Sequence, residues 1–198
     1  MTVNISEYAK ATTRNITLEG LAPIMFDRYA GDNNTKLEPH QKLYFMPGTQ
    51  VIGLPALNIT SFLSAHNTNS APKRLRDVRK YKAIANAALS FTIINEHFIP
   101  FLRDGVPIEF GAFNDDEVDP DTGIYIHRSV ARLEKGIPNP KIRPVLPLPW
   151  SLNFTMTFLP NKEIKEQEIM NLLDEGGTAI GLGTFRGVFG KFRISLWE

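Results

Sequence analysis

Ser151-Leu152-Asn153-Phe154-Thr155-Met156-Thr157-Phe158, followed further on by Gly181-Leu182-Gly183-Thr184-Phe185-Arg186-Gly187-Val188-Phe189-Gly190-Lys191, is the stretch that decides the fold. Its first segment alternates apolar with polar residues, the period of a half-buried strand. Leu152, Phe154, Met156 and Phe158 share one face. Pro160 and Asn161 stop the strand, and Asn161 is expected to N-cap a helix. Glu163, Glu166 and Glu168 suit the positive end of that helix dipole. Ile164, Ile169, Leu172 and Leu173 supply its apolar stripe, and Gly176-Gly177 is expected to end it. The glycine-rich loop comes next, and Phe192-Arg193-Ile194-Ser195-Leu196-Trp197 reads as a last strand.

The loop carries four glycines between positions 181 and 190. Glycine permits positive φ and close backbone approach, and successive exposed amides form anion-binding concavities. Arg186, Lys191 and Arg193 alternate with Phe185, Phe189 and Phe192. Interleaved cations and rings suit a nucleic-acid backbone with unstacked bases. The plainer alternative is a glycine-rich β-hairpin with buried phenylalanines. A dinucleotide fingerprint is excluded, because there a strand precedes the glycines and a helix follows. A phosphate-binding NTPase loop is excluded by the absence of Gly-Lys-Ser/Thr.

The whole chain, 198 residues with a net charge of +1, suffices for one domain with a sizeable core. It is not a polycation, so binding to nucleic acid must come from local patches. No cysteine is present, which excludes disulfides and thiolate metal sites and points to a reducing compartment. No apolar run approaches a membrane span, so no membrane partner is expected. The first residues, Met1 to Tyr8, lack the basic start and apolar core of a signal peptide, and the expected location is the cytoplasm.

Asn15-Ile16-Thr17-Leu18-Glu19-Gly20-Leu21 alternates and reads as the first strand; residues 42–46 read as a short one. Pro47-Gly48-Thr49-Gln50-Val51-Ile52-Gly53 opens with a turn, and Pro55 suits the first turn of a helix through Leu57, Ile59, Phe62 and Leu63. From Ala71 to Lys82 there are six cations, Lys73, Arg74, Arg76, Arg79, Lys80 and Lys82, against Asp77 alone. Such a run is either a solvated face or a phosphate-tracking surface. Residues 83–89 continue as helix.

From Phe91 to Pro149 the chain is β-rich and punctuated by prolines. The acidic stretch 114–123 lacks the glycine and terminal glutamate of an EF-hand and is expected to be a solvated hairpin tip. Arg128, Arg132, Lys135, Lys141 and Arg143 form a second basic set. His40, His66, His97 and His127 show no metal-binding spacing, and no nucleophile elbow is present. No metal or other cofactor is expected, and no catalytic residue is assigned.

Two of these segments resemble one family, the RAMP superfamily of CRISPR-associated RNA-binding proteins. Strand, helix, glycine-rich loop and strand is the second half of its ferredoxin-like (RRM-like) domain. Gly181-Leu182-Gly183, Arg186, Gly187 and Gly190 are similar to its loop, with the second glycine pair stretched to Gly-x-x-Gly. Pro47 to Gly53 is similar to the Pro-Gly-Ser-Ser-Leu-x-Gly element that starts the first helix of its backbone subunits, with Thr49-Gln50 in place of Ser-Ser.

The resemblance implies an α+β fold over residues 1–198, a single RRM-like domain with a ferredoxin-like core. A helical, basic segment is placed at about 71–90 and a β-rich, thumb-like insertion at about 91–149. It implies sequence-tolerant binding of single-stranded guide RNA by a repeating backbone subunit of an antiviral ribonucleoprotein. The partners would be RNA, other subunits and further copies of the chain along the RNA. Lys73, Arg74, Arg76, Arg79, Lys80, Arg128, Arg132, Gly181, Gly183, Arg186, Gly187, Gly190 and Lys191 are the expected RNA-binding residues. One alternative is a metal-independent endoribonuclease processing precursor guide RNA through His66 or His40. A loop aspartate of RNA-cleaving backbone subunits would correspond in position to Asp32. The other alternative is a phage or mobile-element assembly protein whose basic patches contact protein.

Overall fold

A computed structural model describes residues 11–32, 34–132, 136 and 138–198. The expected strand at 151–158 is β9 (Ser151–Phe158), and Leu152, Phe154 and Met156 are buried on one side of it. It pairs antiparallel with β1 (Thr12–Gly20), whose Ile16 and Leu18 face the same core. On the far side of β1 lies the last strand, β10 (Phe192–Trp197).

The remaining strands follow in chain order. They are β2 (Ile24–Met25), β3 (Gly53–Pro55), β4 (Thr92–Ile94), β5 (Phe98–Arg103), β6 (Val106–Pro107), β7 (Tyr125–Arg132) and β8 (Pro138–Leu146). The helices are α1 (Leu57–Ser64), α2 (Ala71–Leu75), α3 (Tyr81–Phe91) and α4 (Glu166–Ala179).

The main sheet has the order β10-β1-β9-β5-β3, with β4 also on β9 and β6 on β5. The first four strands of that order, β10, β1, β9 and β5, are the last, first, third and second strands of a β-α-β-β-α-β unit, all antiparallel, which is the ferredoxin-like arrangement. The chain is therefore α+β with a ferredoxin-like core.

The second strand of that unit is split. β4 pairs with Phe158 to Met156 and β5 with Leu152 and Ser151. At the break, the Glu96 carboxylate accepts hydrogen bonds from the Thr155 amide (2.9 Å) and hydroxyl (2.9 Å). A side chain thus replaces missing ladder acceptors. The β-rich stretch 91–149 consequently divides. β4 and β5 belong to the main sheet, and only the chain beyond β6 leaves it. There β7 and β8 form a long antiparallel hairpin, which β2 extends to a second sheet of order β2-β8-β7.

Several local expectations shift. Asn161 does cap backbone amides, those of Glu163 (3.0 Å) and Ile164 (2.8 Å), but α4 begins only at Glu166. Gly176 and Gly177 lie inside α4 rather than ending it. A Cβ on Gly176 would stand 2.6 Å from the Phe62 ring, and one on Gly177 2.5 Å from the Phe192 carbonyl. Their lack of side chains lets α4 sit close on α1 and β10, and the helix gives way to Gly181, at φ 83°.

Phe62 and Phe192, fully buried beside these glycines, contribute about 1.5–3 kcal/mol each by burial. The Pro47-Gly48 turn closes a hairpin in which the Met46 amide donates to Val51 (2.9 Å); it precedes β3 and does not start α1. Pro55 ends β3, and α1 starts at Leu57. The acidic tip is less solvated than its composition suggests. Asp119 is fully buried and accepts hydrogen bonds from Thr122 Oγ1 (2.5 Å) and the amides of Gly111 and Asp121 (3.2 Å each). Among the described residues no helix is long and apolar enough to cross a membrane.

Candidate nucleic-acid interface

The glycine-rich loop connects α4 to β10 by folding back on the segment after β1. The Thr184 amide donates to the Met25 carbonyl (2.9 Å), Gly190 to Pro23 (2.7 Å) and Leu182 to Gly190 (2.9 Å). Gly183 has φ 76°, and a Cβ there would lie 2.5 Å from the Met25 carbonyl oxygen. Gly181 and Gly190 are likewise crowded by backbone from the opposite side of the loop. These three serve close backbone packing. Gly187 differs: at φ 89° it has nothing within 4 Å of a Cβ position. It is the open glycine of the four.

Arg186, next to it, is half-buried rather than exposed. Its Nε donates to the Gly183 carbonyl (3.1 Å) and its Nη1 to the Asn69 carbonyl (2.7 Å). Burial lowers its pKa, because the guanidinium is desolvated without a carboxylate to offset the loss. The bond to Asn69 brings the loop against the turn before α2. Thr68, Asn69, Arg74, Ala179, Ile180, Arg186 and Gly187 line one cleft of about 230 Å³. Arg74 is exposed there, and its guanidinium bonds to no other group among the described residues. Two cations from segments more than a hundred residues apart thus open on one space, with the open glycine at its rim and no acidic side chain in its lining.

The other expected residues divide by their partners. Arg76 is bound to α4, its Nε to Glu168 (2.7 Å) and Nη1 to Glu175 (2.8 Å). Both carboxylates hold its pKa up. Its charge is spent on joining α2 to α4. Lys73 donates to the His66 carbonyl (2.9 Å) and lies over the Tyr81 ring. Arg79, Lys80 and Lys82 are exposed, outside the cleft, at the start of α3, where the first turn has no acidic residue. Cations beside the positive end of a helix dipole are mutually unfavourable unless an anion joins them.

Lys191 is half-buried, and its carbonyl accepts from the Leu21 amide (2.7 Å). Arg193 pairs with Glu19 (2.8 Å).

The second basic set is not one patch. Opposite positions of the β7–β8 ladder share a face, so Arg128 lies on one side and Lys141 and Arg143 on the other. Position 132, at the end of β7, falls in register on the side of Arg128. Arg128 is ion-paired with Glu117, and Arg143 with Asp27 (2.7 Å). Lys135 lies outside the described residues. Lys141 lines a larger cleft of about 670 Å³ between β8 and the segment that follows β2.

Asp32, also on that cleft, is occupied as an acceptor by Thr35 Oγ1 and the amides of Thr35 and Asn34, each at 2.7 Å. These bonds, the hydroxyl's first, hold its carboxyl below the usual range. His66 bonds Asn86 (3.1 Å) and meets the Tyr81 ring edge-on at 6.0 Å. Among the described residues no three His, Asp or Glu side chains are grouped to hold a metal ion.

The sequence reading missed Asn69 and Thr68, whose contribution is backbone and shape. It also missed that Phe185 would be exposed while Phe192 is buried. The signal for Phe185 was its place between glycines.

No family model matches the chain, and no curated protein matches it. Among solved structures, its fold is similar to a chain in the cryo-EM structure of the Type III-B Cmr-beta bound to cognate target RNA. The TM-score is 0.59 at 12% identity, covering 96% of this chain and 60% of that one. The chain thus spans about three-fifths of that neighbour's length. Likeness at this identity is likeness of fold, and it agrees with the ferredoxin-like core.

Proposed function

We propose that the chain binds single-stranded RNA with little sequence preference, as a repeating backbone subunit along the guide RNA of a CRISPR ribonucleoprotein. The observation that carries this reading is the cleft shared by Arg74 and Arg186, two cations without a carboxylate partner among the described residues, beside the open Gly187. A phosphodiester supplies the missing negative charge there. Arg79, Lys80 and Lys82, exposed at the start of α3, offer further cations outside the cleft. Likeness of fold to a chain of an RNA-bound complex supports the same reading. In it, the whole chain acts as one RRM-like unit, and the β7–β8 hairpin, in the part of 91–149 that lies beyond β6, is its thumb. Other subunits and further copies of the chain are its protein partners.

The test is whether protein purified without nuclease carries RNA. A raised 260/280 nm absorbance ratio that falls after ribonuclease treatment, but not after deoxyribonuclease, is expected.

One observation favours a second reading, a metal-independent endoribonuclease. His66, Lys73 and Tyr81 gather where α1, α2 and α3 meet. A histidine there would act as general base on a 2′-hydroxyl. Labelled repeat RNA incubated in EDTA decides between them. The binding reading expects no discrete product, whereas products that vanish in His66→Ala would establish the nuclease.

A further inference from the structure

Phe185 is an exposed phenylalanine in a loop whose other phenylalanine, Phe189, is half-buried. It is 52% exposed and has φ 53°, a left-handed backbone that bulky L residues avoid. Behind it stands Phe189, ring centroids 5.9 Å apart and planes inclined by 32°. Behind Phe189 stands His127 of β7, at 5.6 Å and 63°. Three rings therefore run in a row from the outer surface of the loop to the hairpin. The hairpin closes the inner end of the row, and the outer ring is open to solvent.

The chemistry on either side narrows what this ring receives. Arg186 is its chain neighbour and, with Arg74, opens on a cleft without a carboxylate in its lining. An apolar protein side chain would cover the ring and leave those cations unmatched. A flat, uncharged π-face joined to a phosphodiester matches both at once. We infer that Phe185, backed by Phe189 and His127, is a stacking platform for one unpaired nucleobase, while the adjoining phosphate lies toward Arg186 and Arg74. This inference rests on the RNA-binding reading above and adds to it a base contact that the basic residues do not provide.

Binding of a labelled single-stranded oligonucleotide to wild type, Phe185→Ala, Phe185→Leu and Phe185→Tyr tests it. Each variant is melted alongside. Loss of the ring in Phe185→Ala weakens binding about tenfold, within the range of base–aromatic stacking. Phe185→Leu keeps apolar bulk without a π-face and falls with Ala, whereas Phe185→Tyr binds like wild type. This Leu–Tyr contrast decides the matter even if the Ala variant melts early. A fully abasic strand removes the bases and keeps the phosphates; wild type and Phe185→Ala bind it equally.

If Phe185→Leu binds the ordinary strand like wild type, the patch is an apolar contact and the stacking assignment is wrong. If all four proteins bind alike, Phe185 lies outside the interface while the RNA-binding reading survives. If wild type binds no single strand, that reading fails and the platform with it.

Discussion

Arg186 donates from Nη1 to the carbonyl of Asn69, 2.7 Å away, and this bond ties the glycine-rich loop to the turn that leads into α2. It joins the two segments that carry the cleft's cations, in addition to the Arg76 ion pairs that hold α2 on α4. The same bond makes Arg186 a structural residue as well as a charge, so its removal changes two things at once.

Arg186→Ala is therefore expected to cost stability, about 1–3 kcal/mol, because the Gly183 and Asn69 carbonyls each lose a charged donor. Thermal melting beside RNA binding should show both properties reduced. Unchanged melting would mean that the guanidinium does not hold the loop.

The four loop glycines should not respond alike. Gly183→Ala meets the Met25 carbonyl in addition to an unfavourable φ, whereas Gly187→Ala meets only the φ. The left-handed conformation alone costs about 1–2 kcal/mol, so Gly187→Ala should lower the melting temperature by a few degrees and Gly183→Ala by distinctly more. Equal losses would contradict the crowded backbone around Gly183.

The alternation at 151–158 made β9 legible from sequence, because one face of it is buried and period two follows directly. The loop glycines were legible as special positions because positive φ, which all four adopt, is where glycine is favoured. Three things were hidden. Gly176-Gly177 reads as a helix stop, yet Phe62 and Phe192, distant in sequence, need that space inside α4. Arg76 reads as one more cation in a basic run, and only the fold brings Glu168 and Glu175 to it. The split of β4 from β5 depends on Glu96 reaching Thr155, an interaction with no local sequence signature.

Glu166 gives a pH signature at the other end of the core. A hydrogen bond from Arg14 Nε (2.7 Å) is the main cause holding its carboxyl below the ordinary range, joined by Trp197 Nε1 (2.8 Å) and opposed by partial burial. A depressed carboxyl stabilises the fold above its unfolded pKa, about 4.3, and that contribution is lost as pH falls through the lower folded value. Glu166→Gln should thus melt below wild type at pH 7. The gap should narrow below about pH 4, in a pH series of melting curves. A gap that widens in acid would contradict the assignment.

Salt dependence separates free cations from spent ones. Replacing Arg79, Lys80 and Lys82 together by Ala should flatten the plot of log affinity against log salt, by up to about 0.7 for each phosphate of a single strand that is no longer neutralised. Arg76→Ala should leave the slope nearly unchanged and lower the melting temperature, since it opens the α2–α4 clamp. A slope change in Arg76→Ala equal to that of the triple variant would place Arg76 at the nucleic acid.

Arg74 offers the most direct measurement, because it faces the cleft, is exposed, and its guanidinium bonds to no other group among the described residues. Fluorescence anisotropy with a labelled single-stranded RNA, at fixed moderate salt, compares wild type with Arg74→Ala, each checked by a melting curve. The expected result is binding several-fold weaker in Arg74→Ala, with stability within about 0.5 kcal/mol of wild type. Equal affinity in the two proteins, or no binding by wild type, would contradict the claim that this cleft holds RNA.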